Sequence, residues 1–236
     1  MSVEPTPVER AAWALRRGDP LAVLTLTQGV EHHVALAIRG AALAQLEEHA
    51  DAMKHLERAA AVASEVGDVD TLARASLALA EVQIAERDLS GASRRLDACR
   101  GALRAQPANS VLAAVLGARV ALLRGEHSAA SALLSAVEET EDSFLGAVLR
   151  LSRAELLLAS GKVDAANAAL AEARVLAARS RHAFLMAEID AGVSRLSQPV
   201  ARLRKGGEEA ALSSLELARV RHGAAGILDT LRASFA

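Results

Sequence analysis

Glu47-Glu48-His49-Ala50-Asp51-Ala52-Met53-Lys54-His55-Leu56-Glu57-Arg58-Ala59 is a phrase that this chain repeats. A charged or small turn leads to an alanine, then to a leucine four residues on, then to another small residue. The phrase returns as Arg87-Asp88 to Ala92, Leu96 and Cys99, and as Gly125-Glu126 to Ala130, Leu134 and Val137. A further copy runs from Gly161-Lys162 to Ala166, Leu170 and Ala173. The anchors Ala52, Ala92, Ala130 and Ala166 lie 40, 38 and 36 residues apart. Self-similarity at such a period marks an array of small helical units, none of which can bury its apolar face alone.

Apolar spacing is helical throughout. Leu72, Ala75, Leu79 and Val82 follow steps of three and four, as do Leu112, Val115, Leu116, Val120 and Leu123. Thr6-Pro7 opens a helix that reaches about Arg17, and Gly18-Asp19-Pro20 ends it. A short helix follows to about Gln28. Four helix pairs come next: about His33–Leu46 with Ala50–Val66, and Asp70–Glu86 with Ser90–Ala105. The others are about Asn109–Arg124 with Ser128–Glu139, and Asp142–Ser160 with Val163–Ser180. Turns this short make partner helices antiparallel neighbours. After Arg181 the phrase weakens. Helices are expected at Phe184–Leu196, Glu208–Val220 and Ile227–Phe235, with breaks at Pro199, Gly206-Gly207 and the Gly223–Gly226 turn. No alternating pattern predicts a sheet. Residues 1–30 read as a cap or degenerate repeat, 31–180 as four helix pairs, and 181–236 as a cap or the stub of a further domain.

The phrase resembles the tetratricopeptide repeat, which places small residues at three fixed points of a helix–turn–helix. Those points are matched by Gly40, Ala52 and Ala59, then by Ala80, Ala92 and Cys99. The next sets are Ala118, Ala130 and Val137, then Ala154, Ala166 and Ala173, with a weaker copy at Ala11, Val23 and Val30. Helices are longer here than the family's, aliphatics replace its aromatics, and a closing proline stands only at Pro107. The resemblance implies an all-α, right-handed superhelical solenoid of about five to six antiparallel hairpins. The long-helix variety is similar to repeat regions of bacterial regulators and signalling scaffolds.

Composition narrows the function. A chain 52% hydrophobic and 24% charged is a packed one. A net charge of −2 and 2% aromatics supply neither a basic field nor stacking platforms, so direct nucleic-acid binding is not expected. No apolar run approaches the roughly 18–20 residues of a membrane span. The single cysteine, Cys99, cannot form an internal disulfide, and no signal peptide precedes Arg10, so a cytoplasmic setting is expected. Cys99 falls at a small-residue point and is expected to be buried.

No catalytic or metal-binding constellation emerges. No two of the seven histidines are three or four apart. The acids Glu138, Glu139, Glu141 and Asp142 lack the spaced ligands and glycine of a calcium loop. No serine or cysteine motif pairs with a base, and Gly206-Gly207 lacks the residues of a phosphate loop. Arg202, Arg204 and Lys205 are offset by Glu208 and Glu209. The expectation is a protein that is not an enzyme and has no cofactor.

The resemblance points certain first-helix positions into a concave groove. They include Val34; Arg74, Leu77 and Glu81; Leu112, Val115 and Arg119; and Val148, Leu151 and Glu155. One position per repeat runs Ala41, Glu81, Arg119, Glu155. In the functional reading, an aliphatic trough with a few charges takes a helix or extended segment of a protein partner. In the plainer one, Glu81, Arg119 and Glu155 form an ion-pair ladder and the leucines are core. A second function is open, in which the chain is the effector-sensing part of a bacterial transcriptional regulator whose DNA-binding domain lies elsewhere. An unfilled trough would also favour a homodimer.

Overall fold

The computed structural model describes residues 4–104, 106–205 and 208–217. They are mostly helical, in the order α1 (Pro7–Arg16), α2 (Pro20–Leu26), α3 (His33–Gln45), α4 (His49–Val66), α5 (Val69–Ala85), α6 (Leu89–Ala98), α7 (Arg100–Arg104) and α8 (Pro107–Leu123). Then come α9 (His127–Ser135), α10 (Ser143–Ala159), α11 (Val163–Ser180), α12 (Ala183–Ser197), and strands β1 (Pro199–Lys205) and β2 (Glu208–Ser213).

One turn is used five times. At Arg17-Gly18-Asp19, Leu46-Glu47-Glu48, Glu86-Arg87-Asp88, Arg124-Gly125-Glu126 and Ser160-Gly161-Lys162, the middle residue has a positive φ, between 62° and 78°. In each, the N–H of the third residue donates to the carbonyl five residues back: Ala14, Leu43, Gln83, Ala121 and Leu157, at 2.8–3.0 Å. This satisfies a carbonyl that the helix end would leave unpaired. Glycine adopts the conformation freely; Glu47 and Arg87 do so at a cost of about 1–2 kcal/mol each.

Between these turns the helices pack in a repeat-like order. Each first helix lies against its own partner, and α3 also touches α5, α5 touches α8, and α8 touches α10. Five apolar clusters follow one another along the described residues, from Ala11, Val23 and Ala42 at one end to Leu170, Ile189 and Leu196 at the other. Ala52, Ala59, Ala80, Ala92, Ala118, Ala130, Ala154, Ala166 and Ala173 are all fully buried. Leu56, Leu134 and Leu170 are buried beside them, each contributing about 2 kcal/mol by removing its side chain from water. At the first pair, Arg39 on α3 donates to the carbonyls of Thr27 and Val30 and so ties α2 to α3.

Four expectations change. The helix expected at Ser90–Ala105 is split at Cys99, with Gly101 just past the break weakening the helical preference. Cys99 is half-buried, and its Sγ lies 3.0 Å from Ser76 Oγ. The helix expected to reach Glu139 stops at Ser135, because the acids that follow are unfavourable at a helix C-terminus; Glu139 pairs instead with Arg150 and Arg153 on α10, at 2.9 and 2.5 Å.

The largest change is at the end. The helix expected from Glu208 is a strand, β2, paired antiparallel with β1 in register from Lys205↔Glu208 to Ala201↔Leu212, with a register shift before Pro199↔Ser213. Exactly two residues, Gly206-Gly207, separate the strands, which is the composition of a tight hairpin loop. Helix resumes only at 214–217. The turn and helix expected between Gly223 and Phe235 lie outside the described residues.

Close approach at the small positions can be tested. A Cβ added at Gly40 would lie 2.5 Å from Leu56 Cγ and 3.2 Å from the Ala52 carbonyl, whereas one at Gly101 meets nothing within 4 Å. Gly40→Ala is expected to lower stability by about 1–3 kcal/mol through overpacking. Gly101→Ala is expected to raise it by up to about 1 kcal/mol through helix propensity. Urea unfolding of both variants checks this, and a stabilised Gly40→Ala contradicts it.

Candidate functional site

Arg119 on α8 gathers acids from its neighbours. Its Nη2 donates to Glu155 Oε1 on α10 at 3.2 Å and to Glu188 Oε1 on α12 at 3.0 Å. Glu81 on α5 lies close enough to interact electrostatically with both Arg119 and Glu188, without a direct ion pair. Three carboxylates from three helices therefore share one guanidinium. The Arg119, Glu155 and Glu188 side chains are 26, 32 and 41% exposed, which limits each pair to about 1 kcal/mol.

Electrostatics there are uneven. Burial pushes the Glu81 carboxyl above its ordinary value; Arg119 opposes this and Glu188 reinforces it. Water nonetheless reaches Glu81. Burial works against the charge on Arg119 too, but Glu155, Glu188 and Glu81 outweigh it and hold its pKa above the usual value. Glu139 contrasts with these: hydrogen bonds from Arg150 and Arg153 on the open surface draw it down to about 2.

Only part of the expected groove is a groove. Leu77, Val115 and Leu151 are buried core residues, and Leu112 and Val148 pack half-buried against that core. Val34 packs beside Val23 and Ile38 in the first cluster. The reason is crowding: α5 meets α3 and α4 on one side and α6, α7 and α8 on the other, so little of its surface remains open. Arg74 pairs within its own helix, 2.8 Å from Asp70. Of the expected positions, Glu81, Arg119 and Glu155 come together.

The open space lies further along the same helices. Ile84, Ala85, Leu122, Leu123 and Ala159, with Arg87, Arg119 and Glu155, border a shallow trough of about 390 Å³ at the C-terminal ends of α5, α8 and α10. Leu123 is 41% exposed there. Glu188 belongs to the site although the repeated phrase has faded before it. A signal was present: Glu81, Arg119, Glu155 and Glu188 are spaced 38, 36 and 33 residues, continuing the shrinking period. Among the described residues no group of three or more His, Cys, Asp or Glu is placed to hold a metal ion. No described helix is long and apolar enough to cross a membrane. Carboxylates and a small apolar trough stand side by side.

No family model matches this sequence, and no curated protein matches it.

The raised Glu81 pKa has a signed consequence. Ionised Glu81 is disfavoured in the fold but not in the unfolded chain, so its cost appears as pH rises above the ordinary value of 4.5. Glu81→Gln is expected to be more stable than the parent at pH 7, with the gain vanishing below that ordinary value. Glu155→Gln, which loses an ion pair, is expected to be less stable at pH 7 by up to about 1 kcal/mol. Urea unfolding at pH 7 and pH 4 measures both, and a destabilised Glu81→Gln at pH 7 contradicts the assignment.

Proposed function

We propose that this protein is a non-catalytic interaction scaffold of the tetratricopeptide-like kind. Its helix pairs would stack as a right-handed solenoid, with α3, α5, α8, α10 and α12 on the concave side. The five matching turns and the first-to-first helix contacts support this reading. A segment of a protein partner would lie along the trough, with small aliphatic side chains over Leu122, Leu123 and Ala159. A lysine or arginine would face Glu81, Glu155 and Glu188. Charge complementarity favours this occupant, because the carboxylates of Glu81, Glu155 and Glu188 outnumber Arg119 and Arg87 and the helix C-termini beside them carry partial negative charge. The protein would work in the cytoplasm, where its lone cysteine stays reduced.

The observation that carries the reading is the meeting of Arg119 with acids from α10 and α12 beside an open trough. A displayed library of random 12-residue peptides, panned on the intact protein, tests it. Selected peptides are expected to carry a basic residue flanked by aliphatics, and to lose roughly tenfold or more in affinity for a Glu155→Gln/Glu188→Gln variant. Acidic peptides, or equal binding to the variant, would overturn the reading.

A second reading is the effector-sensing module of a transcriptional regulator. What favours it is the change of element type at Pro199, where the helical row gives way to the β1–β2 pair. An isolated two-stranded hairpin is marginal in water, so such a pair suits the start of another folded unit. Reading the gene past the Ala236 codon decides it: a following DNA-binding domain supports the module, and an immediate stop codon removes it.

A further inference from the structure

Two helix ends from opposite ends of the row meet. The Ala183 N–H, first in α12, points at the carbonyl of Arg17, just past α1, at 3.5 Å. The two residues are 166 apart in sequence. One is an unpaired donor at a helix N-terminus and the other an acceptor at a helix C-terminus, so each can supply what the other lacks. The partly negative C-terminal end of α1 thus meets the partly positive N-terminal end of α12.

Gly18 shows that the meeting is a packed contact. It occupies the middle of the same turn as Gly125 and Gly161, with a φ of 70° against 78° and 72°. A Cβ at Gly125 or Gly161 would meet nothing within 4 Å. At Gly18 it would lie 3.0 Å from the Phe184 backbone nitrogen and 3.3 Å from Phe184 Cβ. The same local geometry is therefore free at two places and occupied at one. The α12 side is firmly held: His182 is buried, accepts from the Leu185 N–H at 3.2 Å, and stacks its ring 4.9 Å from Phe144. Phe184 and Glu188 are four residues apart, one turn along the same face of α12. The α1–α2 turn bears on the first, and Arg119 holds the second.

We infer that the Arg17-Gly18 turn and the N-terminus of α12 form a reversible clasp that closes the helical row end to end and seats α12 beside Arg119. Reversibility follows from its size: one long hydrogen bond and one glycine-backed contact. This inference stands apart from the identity of any partner.

Hydrogen exchange of the intact protein tests it, with Gly29→Val as control. Gly29 has the same backbone strain, with a φ of 73°, but open space around it. Gly18→Val is expected to speed exchange at the Ala183 amide roughly tenfold, while Gly29→Val leaves it unchanged and the buried Leu151 amide reports global stability. A second experiment places cysteines at both sides in a Cys99→Ser background. The 3.3 Å Cβ separation is just under the usual disulfide range of about 3.5–4.5 Å. Gly18→Cys with Phe184→Cys is expected to cross-link under mild oxidant, and Gly29→Cys with Phe184→Cys is not. Unchanged Ala183 exchange in Gly18→Val, equal acceleration in both glycine variants, or cross-linking no faster than the control would overturn the clasp.

Discussion

Helices in this protein pass one another at small residues, and the rest of the structure depends on that closeness. At Gly40 there is no room for even a methyl group against Leu56. At Ala52, Ala80, Ala92, Ala118, Ala130, Ala154 and Ala166 there is room for one methyl and no water. With aromatics at only 2%, small aliphatic side chains fill most of the space between helices. Stability comes from many short-range contacts of alanine and leucine, each weak and collectively large.

That closeness has an electrostatic consequence. A first helix flanked on both sides keeps only a narrow strip open, and successive strips lie side by side. Charged residues placed once per repeat on the strip must then meet. Arg119 is in direct contact with Glu155 and Glu188, and the charge on Glu81 lies within reach of both Arg119 and Glu188. One guanidinium cannot satisfy three carboxylates. At Glu81 burial pushes the carboxyl upward, Arg119 opposes the shift and Glu188 adds to it. In the proposed function a basic residue of the partner would offset this surplus of acid.

Much of this was legible in the sequence, for local reasons. The turn glycines Gly125 and Gly161, the anchor alanines and the helical spacing are short-range features. The Arg119–Glu155 pair, with Glu81 near it, followed from their common position in the recurring phrase. Other features depend on what lies across space. Spacing shows which residues share a helix face, but not how many neighbours crowd it, and so it left Leu77, Val115 and Leu151 open between groove and core; they are buried. Glu47 and Arg87 take positive φ because the recurring turn's hydrogen bond offsets the strain. At Glu208 the acids favour a helix start, but the Gly206-Gly207 sequence favours pairing of the segments on either side, and β1 and β2 pair. The Arg17–Ala183 contact joins residues too far apart for any local pattern to register.

The central claim is that small anchors set the helix spacing, and one comparison on α8 tests it most directly. Ala118 is fully buried at an anchor, whereas Ala114 borders an open concavity of about 440 Å³ on the same helix. Thermal and urea unfolding of Ala118→Ile and Ala114→Ile measure the difference. The account predicts a loss of about 1–3 kcal/mol for Ala118→Ile from overpacking, and a near-neutral Ala114→Ile. Equal stability of the two variants would contradict it.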